Sequence, residues 1–460
     1  MLADLHPSHG LATAARFTLR QQGSKSSLTG SLLRVDGRHR RSLGARAATV
    51  TPRVDATPSN RLRSVSARPA PWRALPAGIW ALGFGSLFMD VSSELIHGLL
   101  PIFMVTALGA SMVTVGIIEG VAEATAAILK VFSGALSDYF GKRKTLLVFG
   151  YALAAFSKPF FPLATSVSWV FAARFVDRVG KGIRGAPRDA LVADLTLPHM
   201  RGAAYGLRQA LDSVGALIGP ALAVALMIWF ADNVRTVMWF AGVPAFLSVA
   251  LLLVYVREPE RVHVDGPAKK PLTMAAAKRL PLRYWLVVQL GAVFTLARFS
   301  EAFLVLRAKD VGLELSYVPL VMIVMNVFYA SAAYPAGAAA DRTRPRTLLL
   351  LGLVLLVAAD GVLAFARSPL IVFVGAALWG LHMALTQGLL SKLVADTAPA
   401  ELVGTGFGIF NLVSGVALLL ASIIAGYLWS AFGASVTFLA GAVFAALAAI
   451  GLLATVRQAP

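Results

Sequence analysis

The chain of 460 residues has no cysteine, and only 14% of its residues are charged. Without thiols it can form no disulfide, no thiolate metal site and no cysteine nucleophile. Soluble domains are roughly 25% charged and 45–50% apolar, whereas 57% of this chain is hydrophobic and its mean hydropathy is +0.73. The composition therefore indicates a membrane protein and disfavours a soluble enzyme.

Acidic residues are also scarce, with 23 Asp and Glu against 42 Lys and Arg, for a net charge of +19. Residues 1–73 alone contain 13 of the basic residues and three acidic ones, and they lack a long apolar run. Such a segment buries too little apolar surface to offset its chain entropy, so we predict a basic, disordered extension. A cytoplasmic tail, an organellar transit peptide and a misassigned start all fit it. Because so much of the charge lies there, the excess does not indicate nucleic-acid binding.

Long apolar segments fill the remainder of the chain. A membrane-spanning helix needs about 20 mostly apolar residues. Twelve segments meet this condition, at residues 76–107, 111–136, 145–165, 167–190, 203–229, 236–256, 283–308, 316–340, 347–366, 369–394, 402–430 and 434–456. The polar loop 257–282 separates two sets of six, which predicts an all-α membrane protein with bundles at 74–256 and 283–460.

The loop charges predict the orientation of these spans. Loops on one side, with the adjoining span ends, carry seventeen Lys and Arg, and loops on the other side carry four, Arg235, Arg307, Lys309 and Arg367. Positive residues are enriched in cytoplasmic loops. We therefore expect a multi-pass protein of the bacterial inner (plasma) membrane with both termini in the cytoplasm.

Three sequence matches relate the two halves. Gly134-Ala-Leu-Ser-Asp138 recurs as Gly337-Ala-Ala-Ala-Asp341, Leu191-Val-Ala-Asp194 as Leu393-Val-Ala-Asp396, and Ser93-Glu94 as Ser300-Glu301. The offsets of 203, 202 and 207 residues are nearly equal, whereas chance matches would scatter. Repeated bundles around a midplane site are typical of secondary transporters.

The segment after the second span reads Gly134-x-Leu136-Ser137-Asp138-Tyr139-x-Gly141-Lys142-Arg143-Lys144. It resembles the G-x-L-a-D-r-x-G-r-k signature of the major facilitator superfamily, whose aspartate helps to close the cytoplasmic side. The resemblance implies a cytoplasmic gate, with its second copy departing from the pattern at Arg344. The residues assigned to it are Gly134, Asp138, Gly141, Lys142, Arg143, Asp341 and Arg342.

Span 5 contains Gly206, Gly215 and Gly219-Pro220, which resembles the antiporter signature of exporters in this superfamily, although Ala223-Val224 replaces its final glycine pair. The resemblance implies proton-coupled efflux. Small residues at this spacing are equally explained by close helix packing. Span 4 contains a literal G-x-G-x-x-G (Gly180, Gly182, Gly185), but no strand precedes it, so we reject a dinucleotide site.

Ionisable side chains inside spans are costly and therefore point to function. Asp90, Glu94 and His97 lie on one stripe of span 1, and Glu119 and Glu123 lie one turn apart on span 2. Neighbouring carboxylates repel each other, so that one of a pair is expected to hold a proton near neutrality. We take Asp90 or Glu94 as the proton-coupling site, with Glu119 or Glu123 as second choice.

Spacing also suggests structural ion pairs for Arg208 with Asp212 and for Arg298 with Glu301. In the superfamily, spans 1, 4, 7 and 10 line the central cavity. The candidates to line it or contact substrate are Arg174, Asp177, Arg178, Lys181, Arg208, Asp212, Arg298, Glu301, Asn326, His382, Gln387 and Asn411.

The sequence thus predicts a secondary active transporter that moves a small molecule by alternating access, with proton-coupled efflux as the first hypothesis. The cationic face of span 4 keeps an organic-anion or phosphate-ester carrier open. A membrane-embedded enzyme is disfavoured because H-E-x-x-H, G-x-S-x-G and cysteine are all missing. We expect no cofactor, no metal, no nucleic acid and no obligatory protein partner; the proton and the lipid bilayer are the expected partners besides the substrate, whose identity the sequence leaves open.

Overall fold

The computed structural model describes residues 75–140, 142–197, 200–258, 277–340, 343–399 and 402–454. The predicted extension 1–73, most of the loop 257–282, and Gly141, Asp341 and Arg342 of the gate motifs lie outside these ranges. For Asp138 only the backbone is described. Within the ranges given, the chain forms helices joined by short turns, and no strands.

The first half consists of eight α-helices. They are α1 (Ala77–Ile102, extended by a π-helical turn Phe103–Ala107), α2 (Met112–Phe140), α3 (Arg143–Ser157), α4 (Phe160–Leu163), α5 (Val167–Asp194), α6 (Arg201–Trp229), α7 (Val234–Trp239) and α8 (Gly242–Tyr255). The pairs α3–α4 and α7–α8 each make one crossing, which gives spans 1 to 6.

The second half contributes spans 7 to 12. Its helices are α9 (Leu282–Leu296), α10 (Ala302–Asp310), α11 (Leu320–Ala340, preceded by a 3-10 turn Leu315–Tyr317), α12 (Pro345–Ala364), α13 (Pro369–Thr397), α14 (Val403–Phe432) and α15 (Ala434–Ala454). Because α9 and α10 together form span 7, the described residues make twelve crossings, as predicted.

Ten of these crossings are long and apolar enough to span a bilayer. The other two crossings do not meet these conditions of length and apolar composition, each for a physical reason. Span 4 (α5) is amphipathic, because it carries the basic residues and Asp177 along its length. Span 7 was predicted as one helix over 283–308, and this is wrong: the helix stops at Leu296 and resumes at Ala302.

Side chains fix several helix starts. Ser166 Oγ accepts a hydrogen bond from Trp169 N at 3.3 Å, which caps span 4. The carboxylate of Glu258 accepts from Arg143 N and Lys144 N, both at 2.7 Å, and so satisfies two free donors at the start of span 3. Gly433 has φ +87°, a left-handed conformation that lets the chain reverse between α14 and α15.

The two halves pack in the same way. Span 1 packs on span 5, span 2 on span 4, and span 3 on spans 4 and 6; correspondingly, span 7 packs on span 11, span 8 on span 10, and span 9 on spans 10 and 12. Between the halves, span 2 packs on span 11 and span 5 on span 8. Because equivalent helices make equivalent contacts in the two halves, the structure confirms two pseudo-symmetric bundles.

Exposed large apolar side chains, among them Phe132, Phe156, Trp229 and Leu447, cover the outside of the helices. Apolar groups belong on such a surface only if the surrounding solvent is lipid. Inside, buried side chains of both halves merge in one apolar cluster that runs from Leu95 on span 1 to Phe438 on span 12. The fold therefore has a lipid-facing exterior and a shared core.

Candidate functional site

A cavity of about 680 Å³ lies between the two halves. We call the side of the molecule where span 1 begins the terminal face, and the opposite side the distal face. The lining residues belong to spans 1, 2, 4, 5, 8, 10 and 11. Those that carry polar or charged groups are Asp90, Glu94, Glu123, Lys130, Lys181, Arg184, Arg188, Gln209, Asp212, Ser213, Asn326, Tyr329, Gln387 and Asn411.

A second cavity of about 290 Å³, the deep pocket, adjoins the first. The lining residues that the two share are Glu94, Glu123, Lys181, Ala216, Asn326, Tyr329 and Gln387. It extends towards the distal face. The groups found only in the deep pocket are His97, Arg178, Arg298, Phe299, Ser300, Glu301, Met322, Met325, Met383 and Leu418.

The central cavity opens towards the terminal face, where the Lys130 side chain is 50% exposed and Gln209 is exposed as well. On the distal side the halves meet. A Cβ at Gly98 of span 1 would lie 3.4 Å from Pro319 Cβ. Ser316, before span 8, donates a hydrogen bond from its hydroxyl to the Asp232 carboxylate, after span 5. The molecule is thus closed at one face and open at the other.

The antiporter-like motif forms the contact between spans 5 and 1. A Cβ on Gly215 would lie 2.7 Å from Leu87 O, and one on Gly219 would lie 2.7 Å from Val91 O, both too close for a real side chain. The same two glycines face the Cβ atoms of Asp90 and Glu94, whereas Gly206 has nothing within 4 Å. Small residues therefore bring the acidic stripe of span 1 against span 5.

The four predicted proton-coupling acids have different surroundings. Asp90 lines the cavity and makes no hydrogen bond or ion pair within the described part of the chain. Glu94 Oε2 lies 3.5 Å from His97 Nδ1. Glu119 is fully buried with Oε2 2.7 Å from Arg174 Nη2, and Glu123 Oε1 lies 3.2 Å from Arg178 Nη1.

Glu119 and Arg174 are part of a larger buried network. His97 Nε2 reaches Glu119 Oε2 at 3.8 Å, which joins span 1 to span 2. Asp177 accepts from Lys158 Nζ at 2.8 Å and lies 3.5 Å from Arg178 Nε. Paired in this way, the charges of spans 1 to 4 are shielded from lipid.

Lys158 is a member of this network that the sequence reasoning did not select as a site residue. It is buried at the junction of α3 and α4, and its ammonium group also donates to Ser93 Oγ at 3.1 Å. The signal was present, because a lysine beside a proline inside an apolar span needs a partner. Spacing along one helix does not show that its partner lies on span 4.

The basic residues of span 4 differ in the partners that they contact. Arg174 and Arg178 are paired as described, whereas Lys181 is exposed in the cavity and makes no ion pair within 4.0 Å in the described chain. Arg188 lies 3.7 Å from the Asp212 carboxylate and donates to Ser86 Oγ. Arg184 lies over the ring of Tyr151 at 4.8 Å. Arg184 and Arg188 belong to the cationic face of span 4 that keeps an anion carrier open, and both line the cavity.

Arg208 and Asp212 form the ion pair that their spacing predicts, at 2.6 Å. The pair expected for Arg298 and Glu301 does not form within 4.0 Å. It requires a helical turn between the two residues, and span 7 is interrupted there. Both side chains instead line the deep pocket.

Of the predicted cavity residues, eight line the two cavities: Arg178, Lys181, Asp212, Arg298, Glu301, Asn326, Gln387 and Asn411. Four lie behind the wall: Arg174, Asp177, Arg208 and His382. His382 is buried, with Nδ1 2.7 Å from Gly352 O. The methionines and Phe299 of the deep pocket were missed, because apolar lining residues have no sequence signature.

In the gate motif, Gly134 packs against Ala186 of span 4: a Cβ on Gly134 would lie 3.3 Å from Ala186 Cβ. Lys142 precedes span 3, and Arg143 Nη1 pairs with Asp194 Oδ2 at 2.8 Å. Asp194 ends span 4 and belongs to the repeated Leu-Val-Ala-Asp sequence. The motif thus links the terminal ends of spans 3 and 4. In the second copy, a Cβ on Gly337 would meet no described atom of another element within 4 Å.

No group of three or more His, Asp or Glu side chains in the described ranges is arranged to hold a metal ion. The titratable and charged side chains that line the cavities can exchange protons and recognise charged or polar groups.

Comparisons with known proteins agree with this architecture. The sequence profile of the Major Facilitator Superfamily matches residues 82–307 and 291–460. An uncharacterized MFS-type transporter of Methanocaldococcus jannaschii is 31% identical over 390 residues, covering 83% of this chain and 95% of that protein. The chain therefore belongs to the major facilitator superfamily and is a multi-pass membrane transporter.

Two further proteins resemble this chain, one in part of its sequence and one in its fold. The multidrug resistance protein MdtH of Photorhabdus laumondii is 31% identical over 179 residues, covering 39% of this chain and 43% of that protein. The crystal structure of the nucleoside transporter NupG superposes with a TM-score of 0.71 at 10% identity, covering 82% of this chain and 99% of NupG. At that identity the superposition shows the fold alone.

Proposed function

We propose that this transporter exports a small molecule from the cytoplasm in exchange for protons, and that Asp90 is the principal coupling carboxyl. The observation that carries the proposal is the difference among the four acids. Glu94, Glu119 and Glu123 each have a cationic or ionisable partner within 4.0 Å, whereas Asp90 faces the cavity without one. It can therefore exchange a proton without the loss of an ion pair.

The position of Asp90 supports competition between proton and substrate. It lies against Gly215 of the antiporter-like motif, in the part of the cavity that also contains Asp212. Two carboxyl groups that line one cavity repel each other when both are ionised. Binding of a cationic group by Asp90 then favours release of its proton, and release of the substrate favours protonation.

The direction rests on charge and on conformation. Positive residues in the loops of the terminal face support a cytoplasmic position for this face. The cavity then opens inward, with the distal face closed by Ser316 and Asp232. The partial similarity to MdtH, a multidrug resistance protein, supports export.

The test uses inverted membrane vesicles from cells that express the chain, with an imposed proton gradient. Three probes separate charge classes: ethidium, a cation; norfloxacin, a zwitterion; and carboxyfluorescein, an anion. We expect gradient-driven accumulation of the cation or the zwitterion, and proton release on its addition. Asp90→Asn should abolish both, while Asp310→Asn, at an exposed position on the distal side, should change neither. If Asp90→Asn and Glu94→Gln both leave gradient-driven transport intact, the assignment is wrong.

A second candidate function, an organic-anion or phosphate-ester carrier, is favoured by Lys181. This lysine is exposed in the cavity without an ion pair in the described chain, and Arg184 and Arg188 line the same wall. Cations so placed can bind an anion. Carboxyfluorescein exchange without a proton gradient, lost in Lys181→Gln and kept in Asp90→Asn, would support this carrier against proton-coupled export.

A further inference from the structure

Asp360 of span 9 is a buried acid that the proposed coupling site does not include. Its exposed fraction is 0%. Neither carboxylate oxygen has a hydrogen-bond partner among the described residues. A charge so placed is strongly disfavoured, because burial removes the hydration of an ionised carboxylate and nothing nearby replaces it.

The elements packed against Asp360 provide no cation for it. Span 12 contains no titratable residue in its described part, Ala434–Ala454. The titratable and charged groups of the other neighbours have partners elsewhere or lie at other levels of the bilayer: His382, Lys392 and Asp396 on span 10, Tyr329 and Tyr334 on span 8, and Arg298, Glu301, Arg307, Lys309 and Asp310 on span 7. Arg307 donates to the carbonyls of Leu363 and Ala366 and pairs with Asp310. His382 is bound to Gly352 O, two turns away on span 9.

Phe299 lies close to Asp360 and also lines the deep pocket. The position that a Cβ on Gly441 would occupy lies 2.6 Å from Asp360 Oδ2 and 3.1 Å from Phe299 Cε1. Phe299 lines the deep pocket and belongs to the interrupted segment of span 7. Its ring also packs on Trp379 at 5.4 Å, whose indole nitrogen is buried without a partner in the described chain.

We infer that Asp360 is a second proton-binding site, in the C-terminal bundle, which is protonated while the distal face is closed and is exposed to the cavity when Phe299 moves. Release breaks the O–H bond of the carboxylic acid, the proton passes to water in the cavity, and the carboxylate remains. Rebinding reverses the step. The inference rests on the proposed function only for the use of this proton in transport; the protonated state follows from the burial of Asp360.

Infrared spectroscopy of the purified full-length protein tests the protonated state directly. The carbonyl stretch of a protonated carboxyl is resolved from that of carboxylates. We expect Asp360→Asn to remove one such band at neutral pH, Asp360→Glu to shift it, and Asp310→Asn, at an exposed carboxylate, to leave it unchanged. An unaltered spectrum in Asp360→Asn overturns the inference.

Thermal unfolding gives a second readout if a variant is poorly folded. A carboxyl that is protonated in the native state and ionised in the unfolded state lowers stability as the pH rises. We therefore expect the melting temperature of the wild type to fall relative to that of Asp360→Asn from weakly acidic to weakly alkaline pH. Parallel profiles contradict a protonated Asp360.

Transport in inverted vesicles, with ethidium or norfloxacin as the probe, whichever the wild type accumulates, tests the use of the proton. We expect Asp360→Asn to lose gradient-driven accumulation while keeping probe exchange at equal pH on both sides, and Asp360→Glu to restore part of it. Full coupling in Asp360→Asn overturns the role in transport. If the wild type responds to the gradient with neither ethidium nor norfloxacin, the proposed function fails, while the infrared result still decides whether Asp360 is protonated.

Discussion

The two halves of the cavity wall share a fold but differ in charge. In the first half, ionisable side chains from spans 1, 2, 4 and 5 line the cavity and are backed by a buried ion-pair network. In the second half the charged lining residues of the described chain are Arg298 and Glu301, next to amides and methionines. Duplication therefore preserved the helix packing while the chemistry of the two walls diverged.

The difference extends to backbone packing. Gly215 and Gly219 of span 5 correspond to Ala417 and Ala421 of span 11, at the offset of 202 residues that relates Gly206 to Gly408. A Cβ is excluded at the first two positions and present at the last two. The charged half is thus also the half whose helices approach most closely at this level, and four experiments test this difference.

The largest effect is expected from Arg174→Met. Glu119 and Asp177 would stay buried without this partner, and breaking a buried ion pair costs about 3–5 kcal/mol. Thermal unfolding of the purified protein in detergent measures the loss. Arg346→Met, at a half-buried position in the second half where the guanidinium donates to a backbone carbonyl and not to a carboxylate, is the matched control. If the two variants are equally stable, the network is not the main polar support of the first half.

Gly219→Ala comes next. Its new Cβ would collide with Val91 O, so spans 1 and 5 must separate, at a cost of about 1–3 kcal/mol and with the loss of probe transport. Gly206→Ala, which meets nothing within 4 Å, should keep transport and be as stable as the wild type or more so. Equal losses at the two glycines would show that the motif acts through helix flexibility rather than close approach.

The repeated Ser-Glu pair gives a direct comparison of the halves. Glu94 and Glu301 both line the deep pocket. Glu94 lies 3.5 Å from its partner His97, whereas Glu301 does not form the ion pair expected with Arg298. Because Glu94 is partly exposed, we expect Glu94→Gln to cost about 1 kcal/mol and Glu301→Gln to leave the melting temperature unchanged while weakening probe binding. The reverse order would assign the structural role to the second half.

The smallest effect is expected from Ser316→Ala, which removes the hydrogen bond between the halves at the distal face. A net loss of about 0.5–1.5 kcal/mol would shift the closed-to-open equilibrium by roughly twofold to tenfold. Spin labels on cysteines introduced in place of the exposed Thr165 and Arg367 can report this shift, since the chain itself has no cysteine. Ser435→Ala, whose bond to Ala364 O lies within one half, should leave the distance distribution unchanged.

The sequence predicted the twelve spans, the repeat and the family, because apolar length, loop charge and motif spacing are local properties. It also placed Asp90, Glu94 and Lys181 on faces that line the cavity. It did not predict the pairing of Lys158 with Asp177 or of Arg174 with Glu119, because spacing along one helix specifies a face and not the neighbour that packs on it.

The interruption of span 7 was missed for a related reason. The segment from Leu296 to Ala302 contains neither proline nor glycine, so no local signal ends the helix. The cause is tertiary: Ser300 N donates to the Ser422 hydroxyl of span 11 at 3.2 Å rather than to its own preceding turn. A hydrogen bond made 122 residues away is invisible to any pattern along the chain.

That single bond has a mechanical consequence. The helices α9 and α10 of span 7 are joined by a short segment that this bond fastens to span 11, and Arg307 of α10 is fastened to span 9 through the carbonyls of Leu363 and Ala366. A movement that opens the distal side therefore has to carry α10, Ala302–Asp310, together with the end of span 9.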